Sequence, residues 1–391
     1  MSAHVVTLGC RLNLAESERI RAMFAAEPGE VVIVNSCAVT SEAVRQTRQA
    51  IRKARRAQPD ARLLVTGCAA DIERERFAAM DEVDGLVANT AKLDPRSWNL
   101  PPAQTPQAPT KTRAFIAVQN GCGHTCTFCI IPQGRGTSRS LSVAQVLREV
   151  GAHLARGAQE IVLTGVDLTS WGEDLPGAPG LGVLVEAILG QYPALPRLRL
   201  SSVDGIEIDP LLFDLIAGEA RVMPQLHLSL QHGHDLILKR MKRRHSRSDA
   251  VSLVERLKAR RPELAIGADL IAGFPTETDA HHAANRAIIE ELDIVHAHVF
   301  PYSARPGTPA VRMPQVDGTT IKARAAELRE TAAKVRQAWL GSLVGQPLAV
   351  LVEKDGTGHA ANFARVRAPE GALPGTVMTI TPTRLDEGLL A

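Results

Sequence analysis

The sequence predicts an α/β protein in three blocks: a parallel sheet with flanking helices over residues 1–93, a partial (βα)6 TIM-type barrel over 113–340, and a small all-β module over 341–391. Three observations carry this. Apolar runs of four to eight residues alternate with helical stretches from the N-terminus to about residue 90, and again from Arg113 to about Leu340; such runs suit buried parallel strands joined by helices. Residues 94–112, DPRSWNLPPAQTPQAPTKT, lack periodicity and are rich in Pro, Gln and Thr, as a linker would be. Beyond residue 340 the apolar runs become short and are broken by Gly and Pro.

In the first block, VVTLGC (5–10), EVVIVNSC (30–37) and ARLLVTGC (61–68) read as strands. Helices follow them from Asn13 to Ala25, through Arg56 and through Met80, and DGLVANT (84–90) closes the series. Each of the three strands ends on a cysteine. Open parallel sheets bind ligands beyond the carboxyl ends of their strands, so Cys10, Cys37 and Cys68 are expected to meet at one edge. In the second block the strands are AFIAVQN (114–120), EIVLTGV (160–166), RLRLSSV (197–203), QLHLSLQ (225–231), AIGADLIAGF (265–274) and DIVHAHVF (293–300). Helices are expected near 142–156, 181–190, 209–217, 246–260 and 277–292, and another from Thr319 to about Leu340. Polar residues at the strand carboxyl ends place the site at that face.

At 391 residues and 45% hydrophobic content the chain can bury large cores, and its net charge of +3 argues neither for nor against nucleic acid. The start, MSAHVVTLGC, lacks the basic and apolar segments of a signal peptide, and no apolar run would span a bilayer. A cytoplasmic location with no membrane partner is expected. There, six cysteines point to metal ligation or thiol chemistry in preference to disulfides. With 3% aromatic residues, base stacking is a poor route to nucleic acid.

Cys122, Cys126 and Cys129 form C-x3-C-x2-C within NGCGHTCTFCIIPQGRG. Three thiolates after a strand can hold three irons of a cubane cluster and leave the fourth open. Zinc would want a fourth ligand; His124 lies in the loop but no second ligand pair follows. The four-cysteine ferredoxin pattern is absent. On spacing alone an iron–sulfur cluster stands ahead of zinc or buried thiols.

The same motif, with Phe128 before the last cysteine, is similar to that of radical S-adenosylmethionine (SAM) enzymes. TLGCRLNLAESE, VNSCAVTSEA, VTGCAAD, HLSLQHGHDLILKRM, ADLIAGFPTET and HVFPYSARPGTPA extend the likeness, so nearly the whole chain resembles the methylthiotransferase family. That resemblance implies a flavodoxin-like N-terminal domain, a radical SAM barrel and a C-terminal TRAM module. It further implies two [4Fe-4S] clusters and SAM as cofactors. Cys122, Cys126 and Cys129 would hold the cluster that cleaves SAM to a 5′-deoxyadenosyl radical. Cys10, Cys37 and Cys68 would hold an auxiliary cluster whose open iron carries the sulfur. CAVT and HVFPYSARPGTPA most resemble the branch acting on N6-threonylcarbamoyladenosine-37 of tRNA, with isopentenyladenosine-37 or a ribosomal-protein aspartate as alternative substrates. Leu14, Val44 and His245 stand where that branch commonly has Gln, an acid and Tyr. A non-catalytic zinc- and RNA-binding protein is the reading from a different class.

The remaining candidates sit at strand ends. Thr164, Gly165, Val166 and Asp167 end the second barrel strand, where the resemblance implies contact with the methionine amine; a capping aspartate in a turn is the plain alternative. Ser201, Ser202 and Gln231 could bond to methionine or substrate, Gly273 could lean on ribose or adenine, and Phe300 or Tyr302 could pack on adenine. Glu16 and Ser17 are explained by helix capping. The basic stretches 45–62 and 239–247, with Lys354, Arg365 and Arg367, suit a phosphate backbone. The expected partners are the tRNA anticodon loop, an electron donor such as a flavodoxin or ferredoxin, and a sulfur source, with the enzyme a monomer.

Overall fold

The structure, a computed structural model, describes residues 3–25, 29–101 and 112–391. The chain forms two compact units. Among the described residues, the first comprises 3–25, 29–101, 120–139 and 303–311, the second 112–119, 140–302 and 312–391.

In the first unit, strands β1 (His4–Thr7), β2 (Val31–Ser36), β3 (Arg62–Gly67) and β4 (Gly85–Leu86) form a parallel sheet in sequence order. Helices α1 (Arg11–Met23), α2 (Ser41–Ala57) and α3 (Cys68–Ile72) connect or follow the strands. Because side chains alternate along a strand, β2 and β3 feed two cores. Val32, Val34, Leu63 and Val65 pack with Val44, Ile51 and Phe77 on one face. Ile33 and Leu64 pack with Ile20, Phe24 and Trp98 on the other. The Thr40 hydroxyl starts α2 by accepting from Ala43 N at 3.0 Å.

Trp98 revises the expected boundary at 94. Residues Pro95–Trp98 form a 3-10 turn, and the Trp98 ring meets Phe24 edge-on with centroids 5.5 Å apart. Its indole N–H donates to Lys92 O at 2.8 Å. The first half of the expected linker is thus part of the N-terminal core, and residues 102–111 lie outside the described residues. The expected boundaries also missed that residues 120–139 and 303–311 pack with the first unit. Ile130 enters its core, Arg305 donates to Ser41 and Glu73, and Ala310 N donates to Thr127 O at 2.9 Å.

The second unit carries the barrel strands in spatial order of sequence, all parallel. Arg113–Ala117, Glu160–Thr164 and Arg197–Leu200 form one sheet. The third strand breaks at Ser201 and resumes as Ser202–Val203, beside Gln225–Gln231, Ala265–Ala272 and Ile294–Pro301. Ile161, Leu163, Leu198, Leu200, Leu226 and Leu228 face the helices. Alternate positions, including Glu160, Arg199, His227 and Asp269, therefore take the opposite face.

At the strand starts, fully buried Glu160 is gripped by Arg199 and Arg197, each at 3.1 Å. Arg199 also donates to Ala361 O at 3.1 Å and lies over the Phe363 ring at 4.8 Å. Residues 359–363 belong to the C-terminal module, which thereby docks on the amino ends of the barrel strands. The module is a mostly antiparallel sheet whose core, Val350, Ala360, Val366 and Leu390, packs on Leu340 and Leu343. Among the described residues no helix is long and apolar enough to cross a membrane.

Candidate active site

The first unit brings Cys10, Cys37 and Cys68 together. Cys37 directly follows β2 and Cys68 follows β3, after the paired residues Ser36 and Gly67. Cys10 is the N-cap of α1. At Gly9 the backbone has φ +92°, and a Cβ there would lie 2.8 Å from Cys37 Sγ. Glycine is needed for the conformation and for the close approach. Cys37 and Cys68 are buried and Cys10 is exposed, leaving one side open. Burial, and then the neighbouring Cys10 and Cys68 thiols, push the Cys37 thiol up to about 11. Three soft donors converge on one edge, and a cation there would hold the buried Cys37 as a thiolate, which fits a metal cluster.

Cys122, Cys126 and Cys129 lie half-buried on a loop of the same unit. Cys122 N donates to Gly136 O at 3.1 Å and Cys129 N to Cys126 O at 3.2 Å, which folds the loop back on itself. Gly121 has φ +76°, and a Cβ there would strike Thr137 O. His124 N donates to Cys122 Sγ at 3.4 Å. The loop is tied to the three-cysteine edge: Asn89 donates to Gly134 O and approaches Cys68 Sγ at 3.7 Å, and Gly134 packs against the Cys68 backbone.

Between these elements runs a buried charge network that the sequence did not reveal. Glu16 accepts from Lys92 at 2.5 Å and from both terminal nitrogens of Arg135 at 2.9 and 3.0 Å. All three side chains are at most 2% exposed. Capping does not explain Glu16 or Ser17: α1 has no acid in its first turn, and Ser17 accepts from Asn35 at 3.0 Å. Burial alone would raise the Glu16 carboxyl, but Lys92 and Arg135 outweigh it and hold it low. Burial opposes the Arg135 charge too, yet Glu16 and then Cys68 hold its pKa up. Lys92 is pushed down by burial.

In the second unit, the Gln119 side chain shapes the end of the second barrel strand. Its Oε1 accepts from Val166 N at 2.9 Å and Asp167 N at 3.0 Å. Gly165 is required beneath it, since a Cβ there would lie 2.8 Å from that oxygen. Asp167 accepts from the Ser170 hydroxyl at 2.9 Å, and Thr164 is buried within the strand. Ser202 bonds Ser229 at 3.0 Å, while the buried Ser201 hydroxyl finds no partner among the described residues. Gln231 ends the fourth strand at φ +70°, next to a register irregularity; such strain in a non-glycine residue is often kept for function. Gly273, φ +71°, donates to Glu277 at 3.0 Å. Phe300 is exposed, as a ligand-facing ring would be, whereas Tyr302 is buried against Phe274 at 5.6 Å.

One cluster here escaped sequence reasoning. Asp269 accepts from His227 at 3.0 Å and His298 at 3.2 Å, and the two rings lie 4.6 Å apart. A Cβ at Gly267 would lie 2.4 Å from His227 Nδ1, so the glycine makes room for the imidazole. The basic stretches are less free than their charge suggests. Arg243 and Arg244 pair with Asp204, and Arg247 with Glu291, leaving Lys239 and Lys242 exposed. On α2, Arg45, Arg48, Arg52 and Arg55 pair with Glu42, Glu73, Glu82 and Asp84.

Comparison with known proteins places the chain. The Radical SAM superfamily matches residues 116–286, and the Uncharacterized protein family UPF0004 matches residues 2–88. The chain is 41% identical to the threonylcarbamoyladenosine tRNA methylthiotransferase MtaB of Rickettsia prowazekii, over 99% of this chain and 96% of that protein. It is 30% identical to a tRNA-2-methylthio-N(6)-dimethylallyladenosine synthase of Cereibacter sphaeroides, over 99% and 97%. In fold it is similar to the radical SAM methyltransferase TsrM of Kitasatospora setae, at a TM-score of 0.54 and 15% identity, covering 82% of this chain and 80% of that one.

Proposed function

Because the chain belongs to the radical SAM tRNA methylthiotransferase family, we propose that it inserts a methylthio group at C2 of N6-threonylcarbamoyladenosine at position 37 of tRNA. It is an enzyme of that family, and its cofactors are [4Fe-4S] clusters, two per chain, and SAM. The observation that carries the two-site reading is the meeting of Cys10, Cys37 and Cys68 at one sheet edge, in the unit that also holds Cys122, Cys126 and Cys129. For the substrate branch, the 41% identity to the threonylcarbamoyladenosine enzyme, against 30% to the dimethylallyladenosine enzyme, supports the choice.

Cys122, Cys126 and Cys129 would bind the SAM-cleaving cluster, and Cys10, Cys37 and Cys68 the auxiliary cluster. When bound, such clusters supply the electron that cleaves SAM and the sulfur that is transferred. The chemistry needs both, because the C2–H bond offers nothing to acid–base catalysis. Two molecules of SAM would be used, one as methyl donor and one as radical source. Gly165, Val166 and Asp167, held by Gln119, would bind the methionine end of SAM, with Asp167 accepting from its ammonium. Thr164, Ser202 and Gln231 would add hydrogen bonds from adjacent strand ends, and Gly273 and Phe300 would flank the adenosine. The C-terminal module would grip tRNA by charge, through Lys354 and Arg367, while the anticodon loop presents the adenosine unstacked. An external electron donor and a sulfur source complete the cycle, in the cytoplasm.

Mass spectrometry of digested tRNA from a strain lacking the gene tests this. Loss of the methylthio-threonylcarbamoyl nucleoside is expected; loss of the isopentenyl species instead would overturn the substrate reading. Anaerobic reconstitution with iron and sulfide should give about eight irons per chain. One zinc and no visible absorption would contradict the enzyme's chemistry.

A further inference from the structure

We propose that Lys92 and Arg135, bridged by Glu16, are the fixed countercharge of the auxiliary cluster and hold its reduction potential up; this rests on the assignment of Cys10, Cys37 and Cys68 to that cluster. The three side chains are buried to 1, 2 and 1% exposure for Lys92, Arg135 and Glu16, so water cannot neutralise them. Two cations face one carboxylate. Their other hydrogen-bond partners are neutral: Lys92 donates to Asn35 Oδ1 at 3.2 Å, and Arg135 to Asn13 and to Asn120 Oδ1 at 2.8 Å. Asp71, a half-buried carboxylate, pairs with Arg74 at 3.9 Å and also lies within electrostatic reach of Lys92, though it is hydrogen-bonded to neither Glu16 nor Arg135. The trio of Glu16, Lys92 and Arg135 therefore carries one net positive charge in a buried setting, and a buried charge without a close counter-ion is costly.

The group that answers it is at hand. Lys92 and Arg135 both lie within electrostatic reach of Cys68, and Arg135 also of Cys10 and Cys37. An oxidised cubane core on three thiolates has one net negative charge, a dipositive core less three thiolates. Trio and cluster together are then neutral, whereas the trio alone keeps its net positive charge. Each electron added to the cluster is drawn by the same two cations, so their charge raises the potential, a quantity set in part by local charge and hydrogen bonding. Lys92 is a positioning and tuning residue here, since it touches neither substrate nor the reacting atoms. The only acid in the network, Glu16, acts in the opposite sense by offsetting one cation.

The test uses the full-length chain with Cys122, Cys126 and Cys129 all replaced by alanine, reconstituted anaerobically so that only the auxiliary site can load. The midpoint potential is read by redox titration monitored by electron paramagnetic resonance. Lys92→Met should disfavour reduction at least about tenfold, or about 59 mV downward for one electron. Glu16→Gln, which keeps the shape and frees one positive charge, should shift it upward by a similar amount. Lys92→Arg should stay near the parent. Should Lys92→Met fail to fold, Glu16→Gln against Lys92→Arg still decides. A purely structural role would change iron content or stability without opposite shifts of potential. Iron bound with unshifted potentials, or shifts of the same sign in both variants, would overturn the countercharge alone. No iron bound by the parent triple variant would overturn the cluster assignment itself.

Discussion

Replacing Gln119 by alanine removes the one oxygen on which two backbone N–H groups converge, Val166 N at 2.9 Å and Asp167 N at 3.0 Å. Gln119 is 1% exposed, so no water replaces it directly. A buried donor left unpaired costs about 1–3 kcal/mol. Val166 and Asp167 are half-buried and recover part of that from solvent, so a total loss of about 2–3 kcal/mol is expected. Urea denaturation of the metal-free chain measures it. The same loop is where the methionine end of SAM is proposed to sit, so SAM should bind at least about tenfold more weakly to the reconstituted variant, near 1.4 kcal/mol. A double-mutant cycle sharpens the test. Gly165→Ala places a Cβ 2.8 Å from Gln119 Oε1, so its cost should fall when Gln119 is already alanine. Unchanged stability and SAM affinity in Gln119→Ala, or strictly additive costs in the cycle, would refute the claim that this side chain builds the loop.

Trp98→Ala should cost about 3–5 kcal/mol by opening a cavity beside Phe24 and Leu64, read as a lower urea midpoint. Unchanged stability would restore residue 98 to a linker. Glu160→Gln leaves Arg197 and Arg199 without their carboxylate and should cost about 3–5 kcal/mol in the same assay. His296 has its pKa lowered to about 3 by burial and then Arg336, which donates to its Nδ1 at 2.8 Å. Its folded pKa lies below the unfolded value of about 6.5, so the unfolded chain binds the extra proton. Stability should fall as pH drops from about 6.5 towards 3, by up to about 1.4 kcal/mol per pH unit from this group. His296→Gln should flatten that limb of the urea midpoint against pH; an identical pH dependence would remove His296 as its cause.

The strand ends were readable because parallel strands are short apolar runs, and a cysteine closing each of three such runs lands on one sheet edge whatever the details of packing. The barrel strands were readable for the same reason, including the break after Leu200 only in hindsight, since RLRLSSV gives no signal for an interruption at Ser201. Long-range pairing was not readable. Glu16, Lys92 and Arg135 meet across more than one hundred residues of chain, and each alone looks like a surface charge. His227, Asp269 and His298 come from three different strands, so no local spacing announces them. The run KRMKRRHSR promised a free basic face, but Asp204 and Glu291, distant in sequence, take up three of its arginines. Trp98 was the one missed signal that composition could have carried, because a tryptophan in a Pro-rich stretch is worth testing as an anchor for that stretch.

The most direct measurement is mass spectrometry of tRNA nucleosides after incubating the reconstituted protein with SAM, a reductant, and tRNA that carries N6-threonylcarbamoyladenosine. The expected result is replacement of the C2 hydrogen of that nucleoside by a methylthio group, abolished when Cys10, Cys37 and Cys68 are changed to alanine. An unmodified threonylcarbamoyl nucleoside beside methylthiolated isopentenyladenosine, or product formation that survives the loss of those three cysteines, would contradict it.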